Sequence, residues 1–447
     1  MLIVVETCAK PTPGVTRVPA QETKLPYSYS VRAGTFEALR EREFRLLWTG
    51  HLLSSAGSSL FPVALIFAVL DLGERSDLGL ALAALIVPNL LLSLVGGVWA
   101  DRLARQRVML VADMVRGGAQ TVGAIQLISG RAELWHLIAL AAVYGAANAF
   151  FVPAANGLVP ETVSAVHLQQ ANALMSLARR SMTVFGPVVS SGLFEAVGPG
   201  WIYGFDAVTF FASAGFLAAM TPTRRDLGRE PFVTALVHGW REVRSRTWIW
   251  ASIACFSVWN MIFAPFYVLG PVIARRELGG EVPWGFVLTL TAIGYVIGGA
   301  VALHFRPARP LFVGYLLTST YAVPLLLLAQ PSSVILIGLG TAVGAASLEI
   351  ANTLWYTALH RRVPGEALSR VMSYDALGSL LFLPLGYLLT GPIAAAIGER
   401  ATLLGAASLL WLSAVAVAGI PAVRNLRDDK PPAQQVAEPE RETAAVD

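Results

Sequence analysis

The stretch "VGGVWADRLARQR", Val95–Arg107, ends an apolar run with one acid, Asp101, and three arginines, Arg102, Arg105 and Arg107. Upstream of it, residues 78–100 contain no Asp, Glu, Lys or Arg. A helix needs about 20 apolar residues to cross a bilayer core of ~30 Å. The run is long enough for that, and the charges mark where the chain leaves the hydrocarbon.

The pattern recurs along the chain. Uncharged runs cover Leu46–Leu70, Leu134–Gly157, Thr247–Ala274, Val282–His304, Pro310 up to Glu349, Ala376–Gly398 and Ala401–Val423. Runs broken by one to three charges fill the gaps at Val108–Gly130, Asn172–Val197 and Trp201–Met220. The run from Pro310 is too long for one helix, and Gln330-Pro331 is a natural loop within it. The reading is an all-α integral membrane protein with twelve transmembrane helices. An even number of crossings puts both termini on one side.

Composition agrees. Of 447 residues, 55% are hydrophobic and only 14% charged, and the mean hydropathy is +0.60. That is too little polar surface for soluble domains of this size. Two cysteines, Cys8 and Cys255, give neither a disulfide framework nor a metal cluster. The six histidines are scattered, so no metal and no cofactor is expected. Nucleic acid is not an expected partner either, and the chain is read as a monomer in contact with lipid.

Arginine placement sets orientation, since cytoplasmic loops carry the excess of positive charge. Arg102, Arg105 and Arg107 follow span two, six arginines from Arg224 to Arg246 lie between spans six and seven, Arg306 and Arg309 follow span eight, and Arg361, Arg362 and Arg370 follow span ten. The opposite loops hold only Arg75, Arg131, Arg275, Arg276 and Arg400. Both termini are therefore expected in the cytoplasm, with the protein multi-pass in the plasma (inner) membrane. The expected division is a disordered tail at 1–43, a first set of spans at 44–221, a central loop at 222–246, a second set at 247–421 and a disordered tail at 422–447. Within the central loop, "PFVTALVHGWREVRSR", Pro231–Arg246, has the makings of an amphipathic surface helix.

The halves resemble each other at an offset of roughly 200 residues. "VPETVSAVHLQQANALMSL", Val159–Leu177, matches "VPGEALSRVMSYDALGSL", Val363–Leu380, and Val95–Arg107 sits opposite "IGGAVALHFRPAR", Ile297–Arg309. Two parallel six-helix bundles are implied, with a substrate site near the midplane that faces each side by rocking.

On these residues the chain resembles the major facilitator superfamily. Its signature after span two is carried by Gly97, Asp101, Arg102 and Arg105, with Ala104 where Gly is typical and Gln106 where a basic residue is common. The resemblance implies that this loop latches the halves in the outward-facing state, with Asp101 near the start of span eleven. In span five "SMTVFGPVVSSG" is similar to the export-type helix motif, retaining Gly186 and Pro187 but with Ser190 and Ser191 where Gly is usual. "FFVPAANGLVPETV" and "GFDAVTFFASA" are similar to the subgroup of macrolide-efflux and siderophore-export proteins, the drug:proton antiporter-like transporters. Substrate does not follow from fold. The latch cluster also has a plainer reading as a positive-inside anchor, and Pro187 as a simple kink.

Ionisable groups inside spans are costly, about 2.5–3.5 kcal/mol each at the bilayer centre, and usually face a cavity or a partner. Glu349 is the first candidate for a proton or substrate site, with Asn352 one turn on; its plainer reading is an acid satisfied by Arg179 or Arg180 of span five. Arg180, Asn260 and Asn148 complete the candidate pathway. Asp113 and Arg116, at i,i+3, read as a structural pair. Asp206 reads as solvated or bonded on its own helix near a helix end. Asp375 reads as the start of span eleven, where an acid suits the positive helix end, in a structural or latch-related role. Phe150, Phe151, Trp259, Phe263, Phe266, Tyr267 and Trp355 either face lipid or line an apolar pocket. "GLGTAVG", Gly338–Gly344, follows no strand and reads as small-residue packing rather than a phosphate loop.

A phosphate-binding loop needs Gly-Lys-[Ser/Thr], and the three lysines, Lys10, Lys24 and Lys430, follow Ala, Thr and Asp. ATP hydrolysis is excluded, leaving an ion gradient. One proton moving through 100 mV supplies ~2.3 kcal/mol, enough for roughly a 50-fold substrate gradient. The reading is proton-coupled export of a small amphipathic molecule by alternating access. Uptake by symport and a non-transporting receptor remain as alternatives; an enzyme would need acid/base or metal clusters that are not seen.

Overall fold

The computed structural model describes residues 37–164, 166–221, 240–331 and 333–426, with the side chains of 94–102, 365, 366 and 369 outside that description. Helices begin where charge gives way to apolar runs and stop at Gly, Pro or a charged loop. They are α1 Arg42–Leu72, α2 Arg75–Arg102, α3 Arg105–Ile128, α4 Leu134–Thr162, α5 Leu168–Val197, α6 Pro199–Ala218, α7 Thr247–Ile273, α8 Glu281–Ala302, α9 Pro310–Thr318, α10 Val323–Ala329, α11 Val334–Arg362, α12 Gly365–Leu380, α13 Leu383–Ile397, α14 Glu399–Gly419 and the turn α15 Pro421–Arg424. A 3₁₀ turn joins α9 to α10, so Pro310–Ala329 runs as one helical stretch. Among the described residues there is no strand.

Among the described residues, ten helical stretches are long and apolar enough to cross a membrane. α3 and α5 are 24 and 30 residues long, but Arg105, Arg107, Asp113 and Arg116 on one, and Arg179, Arg180 and Glu195 on the other, lower their hydropathy. Of these, Asp113 pairs with Arg116, Arg105 with Glu161 and Arg180 with Glu349, and Arg179 lines a small cavity.

α1 to α6 pack on one another, α2 against α4, α3 against α4 and α6, and α1 against α5 and α6. From Thr247 onward the pattern repeats, with α8 against α11, α9 against α11, and α7 against α12, α13 and α14. The α5–α6 and α13–α14 junctions turn on Gly198 and Gly398, at φ 82° and 89°, a left-handed conformation that favours glycine. Their separation is the repeat offset seen in the sequence.

Small residues set helix spacing where no hydrophobic force holds helices together in lipid. Gly294 and Gly298 of α8 lie directly on the backbone at Ala342 and Ala346 of α11, leaving no room for a Cβ. Gly338, Gly340 and Gly344 pack on Leu290, Leu327 and Tyr321, so the "GLGTAVG" run serves packing.

Two boundaries move. Residues 37–43, expected in the tail, are ordered: Glu37–Arg40 forms a 3₁₀ turn, and the Ala38 N–H donates to Gln170 Oε1 at 2.8 Å. At the other end, Val423 of α15 is fully buried. The expected tails at 1–36 and 427–447, and most of the central loop including 231–239, lie outside the described residues.

Candidate functional site

The two groups of helices meet chiefly through α2 against α13 and α5 against α8. Gly79 of α2 packs on the Tyr387 carbonyl of α13, Gly391 of α13 on Ser76, and Gly285 of α8 on Pro187 and Ser191 of α5. All of these lie toward the arginine-poor end. Ion pairs finish the junction there: Arg75 to Glu399 at 2.7 Å, Arg276 to Glu399 at 2.7 Å and Arg275 to Asp71 at 2.6 Å. The first and third cross between the groups, as does Arg180 to Glu349 at 3.8 Å, near the middle of α5 and α11.

Gly186 and Pro187 sit at this crossing. Gly186 lies directly on Ser59 of α1, and the Pro187 carbonyl faces Gly285 of α8. Ser190 and Ser191, which replace the usual glycines, are fully buried. Ser190 Oγ donates to the Leu60 carbonyl at 2.6 Å, and Ser191 Oγ to the Pro187 carbonyl at 2.8 Å. The motif joins α1, α5 and α8.

Beside the Glu349–Arg180 pair, the second group encloses a cavity of about 400 Å³. Its walls include Trp259, Phe263, Tyr267, Tyr321, Asn352 and Asp375. Phe263 and Tyr321 stack with ring centroids 3.9 Å apart. Asn260, also in the wall, donates from Nδ2 to the Ser379 carbonyl at 3.0 Å, tying α7 to α12. Glu349 lies just outside this wall, near Gly299 of α8. The cavity is mostly aromatic with a few polar groups, the usual make-up of a small-molecule site.

Sequence reasoning and geometry diverge at several residues. Asp375 does not begin its helix: α12 starts at Gly365, so the helix-dipole reading gives way to a buried wall position, where Ser379 Oγ donates to Asp375 Oδ1 at 3.2 Å. Asp206 is not solvated: it is 0% exposed, accepting from Gln120 Nε2 of α3 at 2.7 Å. Asn148 lies near Arg116, at 3.5 Å from Nη1, apart from Glu349. Asp113 and Arg116 pair as expected and are fully buried or nearly so, with Ser213 donating to Asp113 at 2.7 Å and the guanidinium lying over Phe151 and Phe210. Of the aromatic candidates, Trp259, Phe263, Tyr267 and Trp355 line the cavity. Phe266 packs on Trp284, and Phe151 stacks on His51.

Of the latch set, the side chains of Gly97, Asp101 and Arg102 lie outside the described residues. Arg105 bonds to Glu161 Oε1 at 2.8 Å and to the Gly157 carbonyl at 2.7 Å, holding α3 to α4 within one group. The end-closing acids Asp71 and Glu399 were not picked out from sequence. Their signal was an acid facing an arginine across two short loops, visible only once the loops are neighbours. Among the described residues no cluster of three metal-ligating side chains occurs.

Membrane-length helices spaced by glycine, one packing pattern used twice, and a cavity within the second group are the features to set beside known folds. The chain matches the Major Facilitator Superfamily over residues 47–381 and belongs to that family. It is 32% identical over 172 residues to the uncharacterized MFS-type transporter YfiS of Bacillus subtilis, a match covering 37% of this chain and 40% of that protein. To macrolide efflux protein A of Streptococcus pyogenes it is 21% identical, over 86% of this chain and 97% of that protein. To the enterobactin exporter EntS of Salmonella typhi it is 27% identical, over 68% and 75%. Among solved structures, the nucleoside transporter NupG has a TM-score of 0.67 at 11% identity, covering 84% of this chain and 98% of that one. The macrolide-efflux and siderophore-export resemblance read from sequence is thus shown.

Proposed function

We propose that this chain is a secondary active transporter exporting a small amphipathic molecule by proton-driven alternating access. In this reading twelve helices cross the plasma membrane as two parallel six-helix halves with both termini cytoplasmic, and α3 and α5 supply the two crossings that carry most intramembrane charge. The arginine-poor end faces outward and is closed, so the cavity opens inward.

The observation that carries the reading is the Glu349–Arg180 pair. It joins the halves near mid-helix beside the cavity, with Arg180 61% and Glu349 21% exposed. A pair so exposed is worth no more than about 1 kcal/mol, so it biases a conformational equilibrium without locking it. Binding of a proton to Glu349 removes the anion facing Arg180 and frees α5 from α11. Substrate occupancy and protonation then compete for the same contact, which is what antiport requires. Named efflux relatives support the direction of transport.

The test is dye, antibiotic and siderophore accumulation in cells with and without the protein, in the presence and absence of an uncoupler. Lower accumulation that the uncoupler abolishes, and that Glu349→Gln also abolishes at equal surface expression, is expected. Higher accumulation would mean uptake, and unchanged transport in Glu349→Gln would remove this residue from coupling.

A further inference from the structure

A second, smaller cavity of about 90 Å³ lies in the first half, between α1, α4 and α5. His51, Phe151, Asn156, Asn172, Ser176 and Arg179 are in its wall. Its volume matches about three waters at roughly 30 Å³ each, or a single small charged group.

His51 is 8% exposed, and neither of its ring nitrogens has a hydrogen-bond partner. A buried donor left unmade costs about 1–3 kcal/mol, so such a histidine calls for a partner supplied from outside the protein. Its ring stacks on Phe151 at 6.3 Å, which holds it in the wall. Two guanidiniums, Arg179 and Arg116, act on it electrostatically. Arg116 is neutralised by Asp113. Arg179 forms no ion pair among the described residues, where its neighbour Arg180 takes Glu349. The pocket thus offers the exposed guanidinium of Arg179, an imidazole with a free N–H, two carboxamides and a hydroxyl, and among the described residues its wall holds no acid.

Resting on the transport reading above, we infer that this pocket is a subsite for an anionic group, a carboxylate or phosphate, on the carried molecule. The aromatic cavity of the second half offers a place for an apolar body, so the substrate class is an organic anion with an aromatic or otherwise flat apolar part. Arg179 supplies a forked donor suited to such oxygens, and His51 a further N–H.

The test is calorimetric titration of the purified full-length protein, in nanodiscs of phosphatidylcholine alone, with benzoate, with benzylamine as its cationic counterpart, and with inorganic phosphate. Benzoate or phosphate should bind where benzylamine does not. Arg179→Gln and His51→Phe should each weaken binding at least tenfold, while Arg131→Gln at the far end leaves it unchanged and all variants keep the parent thermal midpoint. Equal binding of benzylamine, or anion binding that both variants retain, overturns the inference. Absence of anion binding means a hydration pocket only and also overturns it. Benzoate and phosphate binding that is abolished when phosphatidylglycerol is added to the nanodiscs assigns the pocket to a lipid headgroup instead and overturns the inference. Anion binding that persists without substrate flux would count against the transport reading and leave the subsite standing.

Discussion

Asp113 and Arg116 illustrate how two opposite charges are accommodated between packed helices. Both are buried, and Ser213 and two aromatic faces complete their shell. Breaking such a pair leaves one charge bare, at about 3–5 kcal/mol, whereas replacing both by apolar groups is often neutral. Arg116→Leu should therefore lower thermal stability in detergent sharply, and Asp113→Leu with Arg116→Leu together should recover most of the loss. A second residue, Glu41, sits outside the spans. Partial burial opposes its ionisation, but hydrogen bonds from His167 at 2.8 Å and from the Ser164 backbone and hydroxyl hold its carboxyl below the usual glutamate value of 4.5. A depressed acid contributes stability that is full above its unfolded value and vanishes as pH falls through its folded one. The difference in thermal midpoint between the parent and Glu41→Gln should hold at neutral pH, shrink as pH falls below the usual glutamate value of 4.5 and vanish in more acidic solution. Equal differences at both pH values would exclude Glu41 as a charged tie.

Helix pairs carry the next level of the account, because the closed end depends on glycines with no space for a side chain. A Cβ on Gly285 would overlap Ser191 and Pro187, and one on Gly391 would overlap Ser76. Overpacking of this kind costs about 1–3 kcal/mol, which corresponds to roughly a 5- to 150-fold population shift. Gly285→Val and Gly391→Val should raise the thiol reactivity of Thr390→Cys, a buried position beside Gly391; unchanged reactivity would mean that the halves are not pressed together there. Pro187→Ala should reduce efflux more than it reduces thermal stability, since Pro187 lies where α5 meets both α1 and α8. Equal loss of both would make it a simple kink. These contacts show why element positions were readable from sequence while partners were not. Apolar runs and prolines marked the helices, but Asp206 bonding to Gln120 and Glu399 bonding to Arg75 join residues 86 and 324 positions apart. Only the fold brings them together. His51 left no periodic trace at all, because an unpartnered ring in an uncharged run looks like any other core residue.

Taken as one body, the molecule is a repeat closed at one end. The repeat was legible in the Val159–Leu177 and Val363–Leu380 match, and Gly198 and Gly398 give it a matched backbone turn. Asp375 was misplaced because the helix of span eleven starts eleven residues before the apolar run that announced it, at Gly365 rather than Ala376. Alternating access, the central claim, is most directly tested by distance measurement between spin labels in a Cys8→Ser, Cys255→Ser background. One pair, Glu74→Cys with Ala396→Cys, reports the arginine-poor end, and the other, Val166→Cys with His360→Cys, the arginine-rich end. Lowering the pH, or introducing Glu349→Gln, should lengthen the first distance and shorten the second, each at the expense of the other. Both distances staying fixed, or both changing in the same direction, would contradict a pair of halves rocking against each other.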